Sequence, residues 1–160
     1  MSIINEDIIK NQVEENMKKA WCKLIYEQIN NENPNFEYII SLYKEIKNRF
    51  LYILNKESKK RKDIEEFMDV DLFIQMITTD NFNRNNLLQL SNFLFDLSLS
   101  LCSPVRDKEI IKNKNEISNE ISNEISNEIN ILKTIPKLFL YINIILDDLY
   151  NDLHNYLNLK

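Results

Sequence analysis

No glycine occurs anywhere in the 160 residues. A P-loop, a dinucleotide-binding turn, a nucleophile elbow and an EF-hand loop each need a residue that takes positive φ or lets backbone approach a ligand. None of these sites can be built here. Primed hairpin turns lean on glycine too, so a sheet-rich fold loses its commonest connector. The two cysteines, Cys22 and Cys102, and the single histidine, His154, are too few for a structural zinc site. Both cysteines sit in apolar patterns and read as buried thiols of a reducing compartment. Acidic residues outnumber basic ones, 25 to 20. The net charge of −5 disfavours a nucleic-acid binder and points to protein partners, since phosphate affinity comes from Lys and Arg. No long apolar run is present, and the acidic first residues resemble neither a secretion signal nor a transit peptide. Leu138 to Leu149 is the most apolar stretch, too short for a bilayer and broken by Asn143, Asp147 and Asp148. A cytoplasmic protein without a membrane span is expected.

Leu, Ile, Val and Phe fill 55 of the 160 positions, well above the share at which chains stay disordered, so a single domain over residues 1–160 is expected. Asn and Ile occur 24 times each and Lys outnumbers Arg 16 to 4, a bias that AT-rich codons produce whatever the function. The apolar spacing is nevertheless helical. Ile8, Met17, Trp21, Leu24, Ile25 and Ile29 suggest one stripe of a first helix, with Trp21 a core anchor. Asn33 and Pro34 read as the cap and first turn of a second, carrying Ile39, Leu42, Tyr43, Ile46, Phe50 and Ile53. Ser58 is the expected cap of a third, with Ile64, Phe67 and Met68. Leu72, Phe73, Met76 and Ile77 mark a fourth, and residues 78–83 a turn. A fifth, opening at Asn85 or Asn86, has Leu87, Leu90, Leu94, Leu97 and Leu101 on one face, until Ser103 and Pro104 stop it and start the next. A last helix opens near Thr134 and Pro136 and runs through Leu138, Tyr141, Ile142, Ile145, Leu149, Leu153 and Tyr156. Nothing alternates for long with period two. The expected fold is all-α, an irregular bundle of about six or seven helices.

Residues 116–127 are the tetrad Glu-Ile-Ser-Asn three times over, inside a low-complexity stretch at about 113–130. A step of four residues turns a helix 400°, which keeps Ile117, Ile121, Ile125 and Ile129 on one side. Glu116, Glu120, Glu124 and Glu128 then stack at i,i+4 with no cation between them, which opposes the helix. Helix is the favoured reading over a mobile loop, because the Ile stripe gains from packing.

Few residues suggest chemistry. Lys59, Lys60, Arg61 and Lys62 read as a solvated helix start. Asp147, Asp148 and Asp152 read as a hydrated face, since the alternating oxygen ligands of a cation loop are missing. His154 beside Asp152 has no nucleophile placed for it by any motif. No catalytic, metal or cofactor residue is assigned.

Leu101-Cys102-Ser103-Pro104-Val105-Arg106-Asp107 is unlike anything composition bias would generate. It resembles the signature of the T-complex protein 11 family, which typically reads Leu-Cys-Ala-Pro-Val-Arg-Asp. Upstream, Pro34-Asn35-Phe36-Glu37-Tyr38 with Leu42 and Lys44-Glu45-Ile46-Lys47 is similar to that family's proline-led helix. Ile64-Glu65-Glu66-Phe67-Met68-Asp69-Val70-Asp71-Leu72 is similar to its Ile-Glu-Glu-x-Leu-Asp-x-Asp-Leu stretch. Downstream, Ile135-Pro136-Lys137-Leu138-Phe139 and residues 145–156 resemble its next helix. The likeness runs from about residue 12 to the end, except the tetrads, which look like an insertion where relatives have a short connection. By this resemblance the chain is expected to correspond to the N-terminal part of the family domain, with relatives continuing through further helices.

The resemblance implies a helical, non-enzymatic regulatory or adaptor protein of signal transduction, in particular of cyclic-AMP and protein-kinase-A pathways, acting through protein partners. The alternative is a structural or host-directed protein of a virus or parasite that retains only the scaffold. Leu101, Cys102, Pro104, Val105, Arg106 and Asp107 are expected to be structural. Pro104 can open a helix, Asp107 favours its dipole, and Arg106 is expected to reach a carboxylate on a neighbouring helix, with Asp69 or Asp71 the best candidates. Leu149, Leu153 and Tyr156 are the candidate partner-binding surface, with a homo-oligomer one outcome.

Overall fold

A computed structural model describes residues 2–123 and 129–158. Among the described residues seven helices follow in order: α1 (Ser2–Ile29), α2 (Glu37–Ile53), α3 (Lys59–Phe67), α4 (Val70–Thr78), α5 (Arg84–Leu101), α6 (Asp107–Asn123) and α7 (Ile129–Asn158), with a 3₁₀ turn (Pro104–Arg106) between α5 and α6. No strand occurs among the described residues. The fold is the all-α bundle that the spacing predicts. Its axis is α7, which packs against α1, α2, α5 and α6, while α3 and α4 lie on α2.

The core face of α7 is Ile135, Leu138, Phe139, Ile142, Ile145, Leu146 and Leu149, all buried. Opposite it stand Ile39, Leu42, Ile46 and Phe50 of α2, Leu87, Leu90, Leu94 and Phe95 of α5, and Ile110, Ile117 and Ile121 of α6. An aromatic cluster joins three helices. Tyr43 stacks on Phe73 with centroids 4.0 Å apart, and Phe139 lies tilted 6.3 and 6.4 Å from the two. Burial of each such ring contributes roughly 1.5–3 kcal/mol, which is why α2, α4 and α7 converge there.

Helix ends show how a chain without glycine stops and starts. After α4 the left-handed position falls to Asp80, at φ 58°, and the Asn81 N–H returns to the Met76 carbonyl at 2.9 Å. Asp tolerates this conformation better than most residues, so the usual glycine stop is replaced by a polar one. At the start of α5, Asn83 and Asn86 cap each other reciprocally at 2.9 and 3.0 Å. At the end of α2, Arg61 reaches back to the Leu51 and Leu54 carbonyls at 2.7 and 3.5 Å. It is thus half-buried and bonded, whereas Lys59, Lys60 and Lys62 are exposed.

Several boundaries and faces differ from the sequence reading. The first helix has two apolar faces: Ile25 and Ile29 are buried, but Ile8, Met17 and Leu24 are more than half exposed. Helix α2 starts at Glu37, not at Pro34, because Asn35 Oδ1 takes the Glu37 N–H at 3.0 Å while the Asn35 N–H is held by the Gln28 carbonyl. Ser58 does occupy the cap position of α3, without a side-chain bond. Pro136 lies inside α7 rather than at its start. Proline there removes one backbone donor, and the Thr134 and Ile135 side chains beside it are buried in the bundle, so packing outweighs the lost bond. The tetrads continue α6 through Asn123 with Ile117 and Ile121 buried; the side chains of Ile125 and Ile129 and the later tetrad residues lie outside the described residues.

Candidate functional site

The signature residues form the corner between α5 and α6. Helix α5 closes with the Cys102 N–H on the Ser98 carbonyl at 2.9 Å, and extended backbone at Cys102 and Ser103 turns the chain. Pro104 opens the 3₁₀ turn, where its missing donor costs nothing, and Asp107 begins α6. Leu101 packs half-buried against the core and Cys102 is buried, its thiol pushed up to about 11 by burial, with Arg106 pulling the other way. Val105 is 83% exposed.

Arg106 is the centre of this corner. Its Nε and Nη2 each donate to Asp152 at 3.0 Å, and Nη1 lies 3.4 Å from Asp148 Oδ2. The hydrogen bonds from Arg106 hold the Asp152 carboxyl below the usual range, and the same bonds raise the guanidinium. The partners expected from sequence, Asp69 and Asp71, are therefore corrected. Asp69 is occupied as the cap of α4, its Oδ1 taking the Leu72 N–H at 3.1 Å, and Asp71 sits in the first turn of that helix. The 3₁₀ turn aims Arg106 instead at α7, where Asp148 and Asp152 stand one helical turn apart on one face.

The acidic face of α7, though partly solvated, is thus tied to neighbouring elements by arginines. Asp147 accepts from Arg49 Nη2 of α2 at 2.6 Å, while Nη1 donates to Asn143 Oδ1 at 3.0 Å. The Arg49 guanidinium lies 5.1 Å from the Tyr150 ring centroid, and the Tyr150 hydroxyl donates to the Arg49 carbonyl at 2.8 Å. Arginine suits both joints, since a lysine has no planar fork to span two acceptors. Sequence reasoning missed Arg49, which no apolar stripe and no motif includes. The scarcity of arginine in a lysine-rich chain was the available signal. His154 is exposed and meets Asn158 at 3.0 Å, while Asp152 is engaged by Arg106.

A groove of about 570 Å³ opens between α1, α6 and α7. Its floor is Lys137, whose Nζ lies 3.1 Å from Glu116 Oε1 and 3.0 Å from Glu120 Oε2. This supplies from α7 the cation that the tetrad carboxylates lack within their own helix. Partial burial would lower the Lys137 ammonium, but its hydrogen bonds to Glu120 and Glu116 hold it above the usual lysine range. Tyr141, whose ring lies 5.8 Å from Lys137 Nζ, is pushed up to about 12 by burial against the opposing pull of that ammonium. Cys22 lines the groove only half-buried, its thiol raised by burial. Trp21, on the neighbouring face of α1, is half-buried and donates to the Tyr38 hydroxyl at 3.3 Å. Exposed Lys19, Lys23 and Lys133 stand along the rim.

The candidate partner surface at the end of α7 is only partly where the sequence placed it. Leu149 is buried at 4% exposure because it faces the bundle, whereas Leu153 and Tyr156 are 39% and 57% exposed. No described helix is long and apolar enough to cross a membrane, and no group of three or more potential metal ligands occurs among the described residues.

Comparison with known proteins gives the corner its family. The sequence matches the family model for T-complex protein 11 over residues 4–157. The human T-complex protein 11 homolog (Homo sapiens) is 31% identical over 108 residues, 67% of this chain and 21% of that protein. T-complex protein 11 of mouse (Mus musculus) is 26% identical, over 70% of this chain and 19% of its own length. The human T-complex protein 11-like X-linked protein 1 is 30% identical, over 69% and 22%. The chain thus spans about a fifth of the length of these curated relatives. No solved structure matches it. With its Cys-Ser-Pro-Val-Arg-Asp corner and a match along nearly its whole length, the chain belongs to the T-complex protein 11 family.

Proposed function

We propose that the chain is a non-enzymatic adaptor that binds protein, in the cytoplasm, within cyclic-AMP and protein-kinase-A signalling. The observation that carries this reading is the groove between α1, α6 and α7. Its volume falls in the range of binding clefts, and its two floor carboxylates, Glu116 and Glu120, are both held by Lys137. Acids tied in this way serve recognition and rigidity better than proton transfer. The rim carries Glu15 and Glu27 beside Lys18, Lys19, Lys23 and Lys133, a small excess of cations that, with Tyr141 and Leu140 beneath it, suits a peptide segment with acidic and apolar side chains. Family membership supports the same reading.

The test is direct binding of the purified regulatory and catalytic subunits of protein kinase A, with and without cyclic AMP. Wild type is expected to bind one of them, and the surface variant Lys19→Glu with Lys133→Glu to bind at least tenfold more weakly. Absence of binding by wild type to either subunit overturns the kinase-pathway assignment. Equal binding by the variant overturns the groove as the contact.

A further inference from the structure

Every carboxylate that lines the α1–α6–α7 groove already has a cation. On α1, Lys18 lies 3.3 Å from Glu15 and Lys23 3.9 Å from Glu27; on the floor, Lys137 holds Glu116 at 3.1 Å and Glu120 at 3.0 Å. Lys19 of α1 and Lys133 of α7 are left over. Both are exposed, and among the described residues neither has an ion pair. The groove is therefore layered in charge: the rim keeps two uncompensated cations, while the floor sets two carboxylates against one ammonium.

The floor owes this to the tetrad repeat. Glu116 and Glu120 open the first and second tetrads, each one residue ahead of an isoleucine, and Ile117 and Ile121 are buried. Burial of the isoleucines fixes the face of α6, so the glutamates stand one helical turn apart against α7. There the Thr134 hydroxyl also donates to Glu120 Oε1 at 3.3 Å. The Lys137 side chain is only 30% exposed. Without its two partners it would be the strongest anchor for an acid in the groove, because a partly buried charge is screened less than an exposed one. With them, the floor carries excess negative charge and repels an incoming acid. Cys22, Leu140 and Tyr141 beside it offer contact to an apolar side chain instead.

We propose that Glu116 and Glu120 are specificity determinants of the groove: by engaging Lys137 they bar acidic side chains from the floor, so that the recognised segment carries an apolar side chain at its centre and acids on either side, toward Lys19 and Lys133. This rests on the groove being the binding surface, and adds where along the bound segment negative charge is accepted. It also gives the low-complexity repeat a part in recognition. Within each of the first two tetrads the isoleucine packs and the glutamate sorts ligands.

Fluorescence anisotropy with two labelled peptides tests this, Asp-Glu-Glu-Leu-Glu-Glu-Asp and the same peptide with Glu at its centre. Wild type is expected to bind the leucine peptide roughly tenfold more tightly. Glu116→Gln with Glu120→Gln frees Lys137 and is expected to abolish or reverse that preference at unchanged helicity. Glu116→Gln alone, which leaves Glu120 on Lys137, is expected to fall between. Adding Lys137→Gln to the double variant should restore the preference for leucine, an effect that a general change in stability would not produce. Equal binding of the two peptides by wild type, or an undiminished preference in the double variant, would overturn the proposal while leaving the groove as the contact. Failure of wild type to bind either peptide would overturn the groove reading, and the proposal with it.

Discussion

Arg106 of the 3₁₀ turn and Asp152 of α7, 46 residues apart in sequence, are joined by two parallel hydrogen bonds of 3.0 Å. The most distinctive motif of the sequence is thus a joint. It fixes the α5–α6 corner to the bundle's axial helix, as Arg49 fixes α2 to the same helix through Asp147.

Acid should loosen this joint. Hydrogen bonds from Arg106 depress the folded-state value of Asp152 below its unfolded value of about 3.9. The stabilisation is therefore full above the unfolded value and is lost as pH falls through the lower folded one. The side chain is 35% exposed, so solvent screening limits the effect to about 0.5–1 kcal/mol. Urea unfolding at pH 6 and at pH 2.5 checks this: wild type should lose more stability than Asp152→Asn, by up to that amount.

Packing, not propensity, holds the tetrad segment in α6. Ile117 is fully buried, and Ile117→Ala should cost about 2–4 kcal/mol. Ile111, 44% exposed on the same helix, should cost under about 1 kcal/mol on the same change. Equal unfolding midpoints for the two variants would contradict the packing described.

Arg61 closes α2 by satisfying the Leu51 carbonyl at 2.7 Å. Arg61→Ala should destabilise by about 1–2 kcal/mol, while Lys60→Ala, exposed and uninvolved, should stay within about 0.5 kcal/mol. Thermal unfolding of the pair reads the difference.

What the sequence made legible was local. Three-and-four spacing located α1 to α5 and α7, the Ser103–Pro104 stop and the tetrad step pointed to α6, and most of the apolar residues marked on α2, α5 and α7 are buried or half-buried, because one period holds along one core-facing stripe. The same spacing misled in α1, where Ile25 and Leu24 belong to different faces and a count of apolar steps merges them. Pro136 looked like a helix start because its effect on the backbone is local, whereas what keeps it inside α7 is the surrounding bundle. The joints were illegible for a related reason. Asp147, Asp148 and Asp152 look solvated in isolation, and their arginines lie 98 and 46 residues away, brought near only by the way helices cross. Asp69 and Asp71 are not the partners of Arg106 for a like reason: Asp69 caps α4 through the Leu72 N–H, a role that spacing alone does not display.

The most direct test is a double-mutant cycle on Arg106 and Asp152, using Arg106→Lys, Asp152→Asn and the pair, with stability measured by urea unfolding at pH 7. Contact through the signature corner predicts a coupling of about 0.5–1.5 kcal/mol. Strict additivity of the two single changes would contradict it.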